Sequence, residues 1–273
     1  MAEVIRKDNL LAHLQNLVGD RNAITKRGAL QRTADYIEHQ FKTFGYKTSA
    51  DNVRLLWRSY PNIIAGAGDF IVGAHYDTVF GSPGADDNAS GVAALLEIAR
   101  VLAPRTGVQF VAFTLEEQGM AGSAHYARAL SLRRVKLRGM ISLEMVGFKS
   151  DVPNSQQLPR GLEQLYPHTA NFIGVVGNEI SRSLLETFVS AMKSVEGLPV
   201  ESLVVSGNGE AIPPTRLSDH AAFWDCSYPA LMITDTSWFR NPHYHQASDT
   251  IETLDLDFMA RVAEGVVRAL ISL

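Results

Sequence analysis

From residue 53 onward, short apolar runs alternate with segments of helical periodicity, and that alternation leaves few folds open to the chain. The candidate strands are Val53–Trp57, Asn62–Ala65, Phe70–His75, Val108–Thr114, Gly139–Met145, Phe172–Val176 and Ala230–Thr234. Between and after them fall candidate helices over Ser90–Leu102, Ser123–Leu130, Ile180–Val195, Asp219–Asp225 and Asp255–Ile271. Two amphipathic helices precede this region, over Asn9–Val18 and Gly28–Phe44, and Gly45 is a natural stop. The run at Phe70–Gly73 is apolar at every position but the last, as expected of a strand covered on both faces. The pattern predicts an α/β fold, a three-layer α/β/α sandwich around a mixed, largely parallel sheet.

At 273 residues the chain is long enough for one large core, and residues 1–273 are read as a single domain. Two stretches, 149–169 and 206–217, resist a regular assignment and hold five of the eleven prolines. They are expected to be long loops flanking a site. With 25 Lys and Arg against 29 Asp and Glu, nothing points to nucleic acid or an anionic membrane as a partner. No apolar run approaches the ~20 residues of a membrane-spanning helix. The single cysteine, Cys226, lies in an apolar stretch and reads as a buried structural residue. The absence of a leader at the start suits a cytoplasmic protein, and a leader removed earlier would make it secreted or periplasmic. Oligomeric state is not encoded in any feature of the chain.

The chemistry gathers where strands end. In open α/β sheets ligands sit beyond the carboxyl ends of the strands. His75 closes one strand, with Asp77 two residues on. Asp86-Asp87-Asn88 precedes a helix, where Asn88 or Ser90 could cap the helix start. Glu116-Glu117 follows a buried strand, an expensive place for paired carboxylates without a cation. Glu144 interrupts an apolar strand and needs either a metal or a Lys or Arg partner. Tyr244-His245 lies ahead of the last helix. His75, Asp87, Glu117, Glu144 and His245 together supply two imidazoles and three carboxylates, a donor set suited to Zn²⁺ or another borderline divalent ion. If Asp87 bridges two ions, each has three protein ligands and open positions for water.

These segments resemble the co-catalytic zinc aminopeptidases that share their fold with glutamate carboxypeptidase II. The matching stretches are GAHYDTV (73–79), GADDNASGVAALLEIAR (84–100), FTLEEQGMAGSAHYA (113–127), SLEMVG (142–147), SDHAAF (218–223) and YHQASDTIETLD (244–255). The resemblance implies two Zn²⁺ ions. Asp87 would bridge them, Glu117 and His245 would complete one site, and His75 and Glu144 the other. It makes Glu116 the general base, Tyr244 an oxyanion donor, Asp77 the partner that orients His75, and Asp219 a residue near the metals. It also puts a cis peptide at Asp87–Asn88. The activity implied is hydrolysis of the N-terminal peptide bond of a peptide or aminoacyl substrate. Position 144 is Glu where many of these aminopeptidases carry Asp, which bears on the second metal and on substrate preference. The alternatives are a single-zinc glutaminyl-cyclase-like acyltransferase, a carboxypeptidase or amidohydrolase on the same fold, and a metal-free binding module. Ser218-Asp219-His220 has the residue types of a serine triad, but three consecutive residues cannot adopt its geometry. No P-loop lysine follows the glycines at 207 and 209. Arg216 is read as a surface arginine rather than a pocket residue, and His243 as a loop histidine.

Overall fold

A computed structural model describes residues 4–103 and 107–273. In chain order the elements are α1 (Lys7–Leu17), α2 (Arg27–Thr43), β1 (Thr48–Leu55), β2 (Arg58–Gly66), β3 (Gly68–His75), α3 (Gly91–Val101), β4 (Gly107–Phe113), α4 (Ala121–Leu132), β5 (Gly139–Glu144), β6 (Ile173–Asn178), α5 (Arg182–Lys193), β7 (Val200–Val205), α6 (His220–Asp225), β8 (Ala230–Thr234) and α7 (Leu256–Ser272). The strands form one sheet in the order β1-β2-β4-β3-β5-β8-β6-β7. Its middle, β4-β3-β5-β8, is parallel, with antiparallel joins at β1-β2, β2-β4 and β8-β6 and a parallel β6-β7 edge.

Alternation along the strands splits the core in two. Val72, Ile141, Ile233 and Val175 face α1, α2, α3, α5 and α7. Ile71, Met140 and Val111 face α4 and α6, where Tyr126, Phe223 and Trp224 close the second layer. The chain is thus a three-layer α/β/α sandwich with a mixed sheet. Among the described residues no helix is long and apolar enough to cross a membrane.

Helix positions follow the periodicity to within two residues, and Asp255 caps α7 by accepting from the Phe258 amide at 2.9 Å. Four readings need correction. Strand β2 begins at Arg58, four residues ahead of the expected start at Asn62, because Arg58, Ser59 and Pro61 interrupt the apolar run. The strand expected over Val53–Trp57 is β1, which begins earlier and ends at Leu55. Leu56 and Trp57 form the hairpin turn, 71% and 82% exposed, so their apolar side chains misplaced the strand. Strand β7 falls in a segment assigned no structure, because Val200-Glu201-Ser202-Leu203 at the sheet edge has no clean period. Cys226 is half-buried rather than buried, because it lies just past the end of α6.

Strands β3, β4, β5 and β8 run the same way, so their carboxyl ends share one edge of the sheet. His75 and Glu144 are the last residues of β3 and β5, and Glu116-Glu117 follows β4.

Candidate active site

At this edge the side chains singled out in the sequence converge. One oxygen of Asp87, Oδ1, lies 3.3 Å from His75 Nε2, and the other, Oδ2, lies 3.1 Å from His245 Nε2. Glu144 Oε2 is 3.5 Å from His75 Nε2, and Glu117 Oε2 is 3.5 Å from His245 Nε2. Two donor groups result, His75–Asp87–Glu144 and Asp87–Glu117–His245, each with its ligand atoms within 4.8 Å of one another. Asp87 belongs to both.

The segment carrying Asp87 is tied down on every side. The carboxylate of Asp249 accepts from the amides of Asp86 (2.9 Å) and Asp87 (3.1 Å). Asn88 donates to the Leu143 carbonyl and accepts from the Met145 amide, docking the segment on the end of β5. Asn88 also accepts from the Gly91 amide and so caps α3, whereas the Ser90 hydroxyl turns back to the Asp86 carbonyl. The Asp87–Asn88 peptide is cis. At Gly84 the backbone has φ +60°, and a Cβ there would lie 2.3 Å from the Asp87 carbonyl oxygen, so only glycine fits. Arg21, 2% exposed, donates from Nη2 to the Gly84 carbonyl and from Nε and Nη1 to those of Tyr76, Leu17, Gly19 and Pro83. It joins the end of α1 and the α1–α2 connection to both ends of the loop that leads from β3 to Asp87, at Tyr76 and at Pro83-Gly84.

Asp77 is fully buried beside the carboxylate pair. Its two oxygens accept from the amides of Glu116 (3.1 Å) and Glu117 (3.2 Å), while Oδ1 is 3.6 Å from His75 Nδ1. Its closest contacts are therefore with the Glu116-Glu117 backbone, and it is only a loose neighbour of the imidazole. Glu144 meets no Lys or Arg among the described residues; Ser218 donates to its Oε2 at 2.7 Å, and Ser218 in turn meets Ser142. Leu115, Met145 and His245, at or within two residues of members of the donor groups, have φ between +48° and +59°, a conformation sparsely populated by side-chain-bearing residues and concentrated at functional sites.

Tyr244 is half-buried and its ring stacks on His245, with centroids 3.7 Å apart. Asp219 is fully buried behind Glu116. His220 bonds the Thr215 carbonyl and packs edge-on to Trp224, so the three residues 218–220 have separate tasks and form no triad. His243 meets Ser248, away from both donor groups. Arg216 pairs with Asp225 through both carboxylate oxygens at 2.9 Å.

Carboxylate charge is in excess here. Burial, with Asp87 close by, pushes Glu117 up to about 9, and burial pushes Glu116 well above the ordinary range. Burial also raises Asp219 to about 7, against the pull of His75. Burial disfavours the His75 imidazolium, yet Glu144 and Glu116 outweigh it and hold its pKa well above 6.5. Burial pushes Asp87 upward, as it does the other carboxylates, but His245 and His75 hold it below the usual carboxylate value. A cluster that must borrow protons to reduce its charge is one that divalent cations fit, and its N and O donors are the kinds such ions take.

Beside the donor groups lies a cavity of about 290 Å³, lined mostly by apolar residues. Residues 156–159, 162 and 166 of one long loop and 214, 215 and 217 of the other form part of its wall, and Glu116, Glu144, Tyr244 and His245 lie at its acidic end. Sequence reasoning missed Arg21 and the role of Asp249, whose contacts are to backbone groups and leave no periodic or motif signal.

Known proteins are similar along nearly the whole chain. A protein of Escherichia coli K12 known as uncharacterized protein YfbL is 40% identical over 263 residues, covering 88% of this chain and 80% of that one. Leucine aminopeptidase 1 of Ajellomyces dermatitidis is 23% identical, covering 97% of this chain and 70% of that one. Among solved structures, the LapA aminopeptidase of Legionella pneumophila superposes with a TM-score of 0.76 at 23% identity, covering 98% and 71% of the two chains. A glutaminyl cyclase of Bacteroides thetaiotaomicron superposes with a TM-score of 0.75 at 17% identity over 100% of both. These two structures share the fold. Residues 64–270, which carry both donor groups and the carboxylate pair at 116–117, match Peptidase family M28, and the chain belongs to that family.

Proposed function

We propose that the protein is a zinc-dependent aminopeptidase holding two metal ions, which hydrolyses the N-terminal bond of a peptide or aminoacyl substrate. The observation that carries this reading is the sharing of Asp87, with one oxygen toward His75 and the other toward His245. His75, Asp87 and Glu144 would hold one ion and Asp87, Glu117 and His245 the other. Bound divalent ions supply Lewis acidity, bringing the pKa of a water toward about 7 and polarising a carbonyl.

The chain's own groups do the rest. Glu116, at the acidic end of the cavity and free of both donor groups, takes the proton of the attacking water and delivers it to the leaving amine. The Asp77 carboxylate fixes the Glu116 amide and so the reach of that side chain. The Tyr244 hydroxyl donates to the oxyanion that develops on the scissile carbonyl. The carboxylates of Glu116 and Glu144 favour a charged, unblocked α-amine at the acidic end of the cavity.

The test is metal content after dialysis against trace zinc, together with hydrolysis of an aminoacyl p-nitroanilide and its N-acetylated form. About two ions per chain and cleavage of the free amine alone is the expected result. Cleavage of the acetylated compound would overturn the aminopeptidase reading. One ion, with pyroglutamate formed from a glutamine-initiated peptide, would replace it with the cyclase.

A further inference from the structure

One row of the sheet along the cavity floor starts at the candidate metal centre. Register pairs Glu144 with Thr234, Thr234 with Gly174, and Gly174 with Glu201. Their neighbours Leu143, Ile233, Ile173 and Val200 point into the core beneath the five-helix layer. Side chains alternate along a strand, so the four residues of the row face the opposite way, and all four line the cavity. Residues 156–159, 162 and 166 of one loop and 214, 215 and 217 of the other line the same cavity as this face of β6 and β7, and the Tyr166 hydroxyl donates to the Ser202 carbonyl of β7, so the row runs along a channel.

The row has a gap in its middle and a charge at its far end. At Gly174 no side chain rises from the floor; a Cβ there would meet the Thr234 carbonyl oxygen at 3.3 Å. Beyond it stands Glu201, half-buried, with no ion pair or hydrogen bond to its carboxylate among the described residues. Apolar groups flank the channel, among them Leu158, Phe172, Leu203, Met232 and Phe239. A carboxylate at the end of an apolar channel is matched by a cation on an aliphatic stem.

Length agrees with charge. Three inter-strand steps of about 4.8 Å put the backbones of Glu144 and Glu201 about 14 Å apart. In lysine or arginine the extended path from α-nitrogen to side-chain cation is about 7–9 Å. A charge-assisted hydrogen bond of about 2.8 Å at each end brings the span to about 13–15 Å. Leucine reaches barely past Thr234.

We propose that this channel is a subsite for a long cationic side chain, that Glu201 selects an N-terminal arginine or lysine, and that Gly174 keeps the path to it open. The proposal rests on the aminopeptidase reading for the placement of the α-amine. Its test compares arginine, citrulline and leucine p-nitroanilides, because citrulline keeps the shape of arginine and removes its charge. In the zinc-loaded protein kcat/KM for arginine is expected to exceed that for citrulline by about tenfold or more, about 1.4 kcal/mol. Glu201→Gln brings that ratio close to one, and Glu201→Lys inverts it. A parallel calorimetric titration with argininamide and leucinamide reads the same selectivity without turnover. Faster cleavage of leucine than arginine by the unmodified protein overturns the proposal, as does a Glu201→Gln variant whose arginine-to-citrulline ratio is unchanged. If no aminoacyl compound is cleaved but argininamide binds tighter than leucinamide and loses that advantage in Glu201→Gln, the aminopeptidase reading fails and the cationic subsite stands.

Discussion

Asp249 holds Asp87 through its backbone: one carboxylate accepts from the amides of Asp86 at 2.9 Å and Asp87 at 3.1 Å, and both bonds are buried. The two residues are far apart in sequence, yet the second fixes the peptide from which the shared carboxylate projects. In Asp249→Asn one acceptor becomes an NH₂ group facing an N–H donor, so one of the two bonds is lost. The expected outcome is a metal affinity about 10–100-fold weaker, the usual effect of removing a group that orients a ligand. Competition with a chelator of known affinity measures it, and unchanged affinity would show that Asn88 alone suffices to hold the segment.

Glu116 differs from its neighbour Glu117 in one decisive respect: it lines the cavity but belongs to neither donor group. Glu116→Gln should therefore retain the full metal complement and the thermal midpoint. Turnover should fall by about 10²–10⁴, the range for removing a general base. Near-normal kcat in that variant would take the residue out of the proton-transfer role.

Tyr244→Phe isolates a single hydroxyl, because the ring that stacks on His245 is kept. If the hydroxyl serves the oxyanion, kcat drops by about 10²–10³ while KM rises less. A change in KM alone would make Tyr244 a substrate-packing residue.

Arg21 bears on folding more than on chemistry. Its guanidinium satisfies five backbone carbonyls in a buried position, and a bare buried carbonyl costs about 1–3 kcal/mol. Arg21→Met removes every one of these bonds and keeps most of the volume. Urea unfolding of the metal-free protein should show a loss of about 3 kcal/mol or more. A loss under about 1 kcal/mol would mean that water takes over those carbonyls.

The legible part of this molecule was the part with period or motif. Ile71 and Val72 of β3 announce a strand buried on both faces, and the residues at 75, 87, 116, 117 and 144 fall where strands end or helices begin, while 245 lies in the loop ahead of the last helix. Illegible were features whose partners are backbone atoms or distant strands. Arg21 resembles any surface arginine until its five carbonyls are in place. The alignment of Glu144 with Glu201 depends on β8 lying between β5 and β6, a strand order that local sequence does not encode. At the sheet edges, Thr48–Asp51 of β1 lacks a buried face, and β7 carries Glu201 and Ser202 among its apolar residues. Neither has the alternation that marks a half-buried strand.

His13 gives the fold a pH dependence outside the site. It is 6% exposed, its Nδ1 lies 2.7 Å from the Tyr36 hydroxyl, and burial lowers its pKa from 6.5 to about 4, with Glu97 opposing. Between these values the unfolded chain carries a proton on this ring and the folded chain does not. The unfolded state then binds more protons, so stability from this residue is complete above pH 6.5 and is lost as the pH falls toward 4. The loss has an upper bound of about 3 kcal/mol. In His13→Phe this component is absent, so the difference in unfolding free energy between the unmodified chain and the variant should shift toward the variant as the pH falls from 7 to 4. Chemical denaturation of the two proteins at matched pH values measures that difference, and a difference that stays constant across the range would show that His13 titrates in the fold as it does in the unfolded chain.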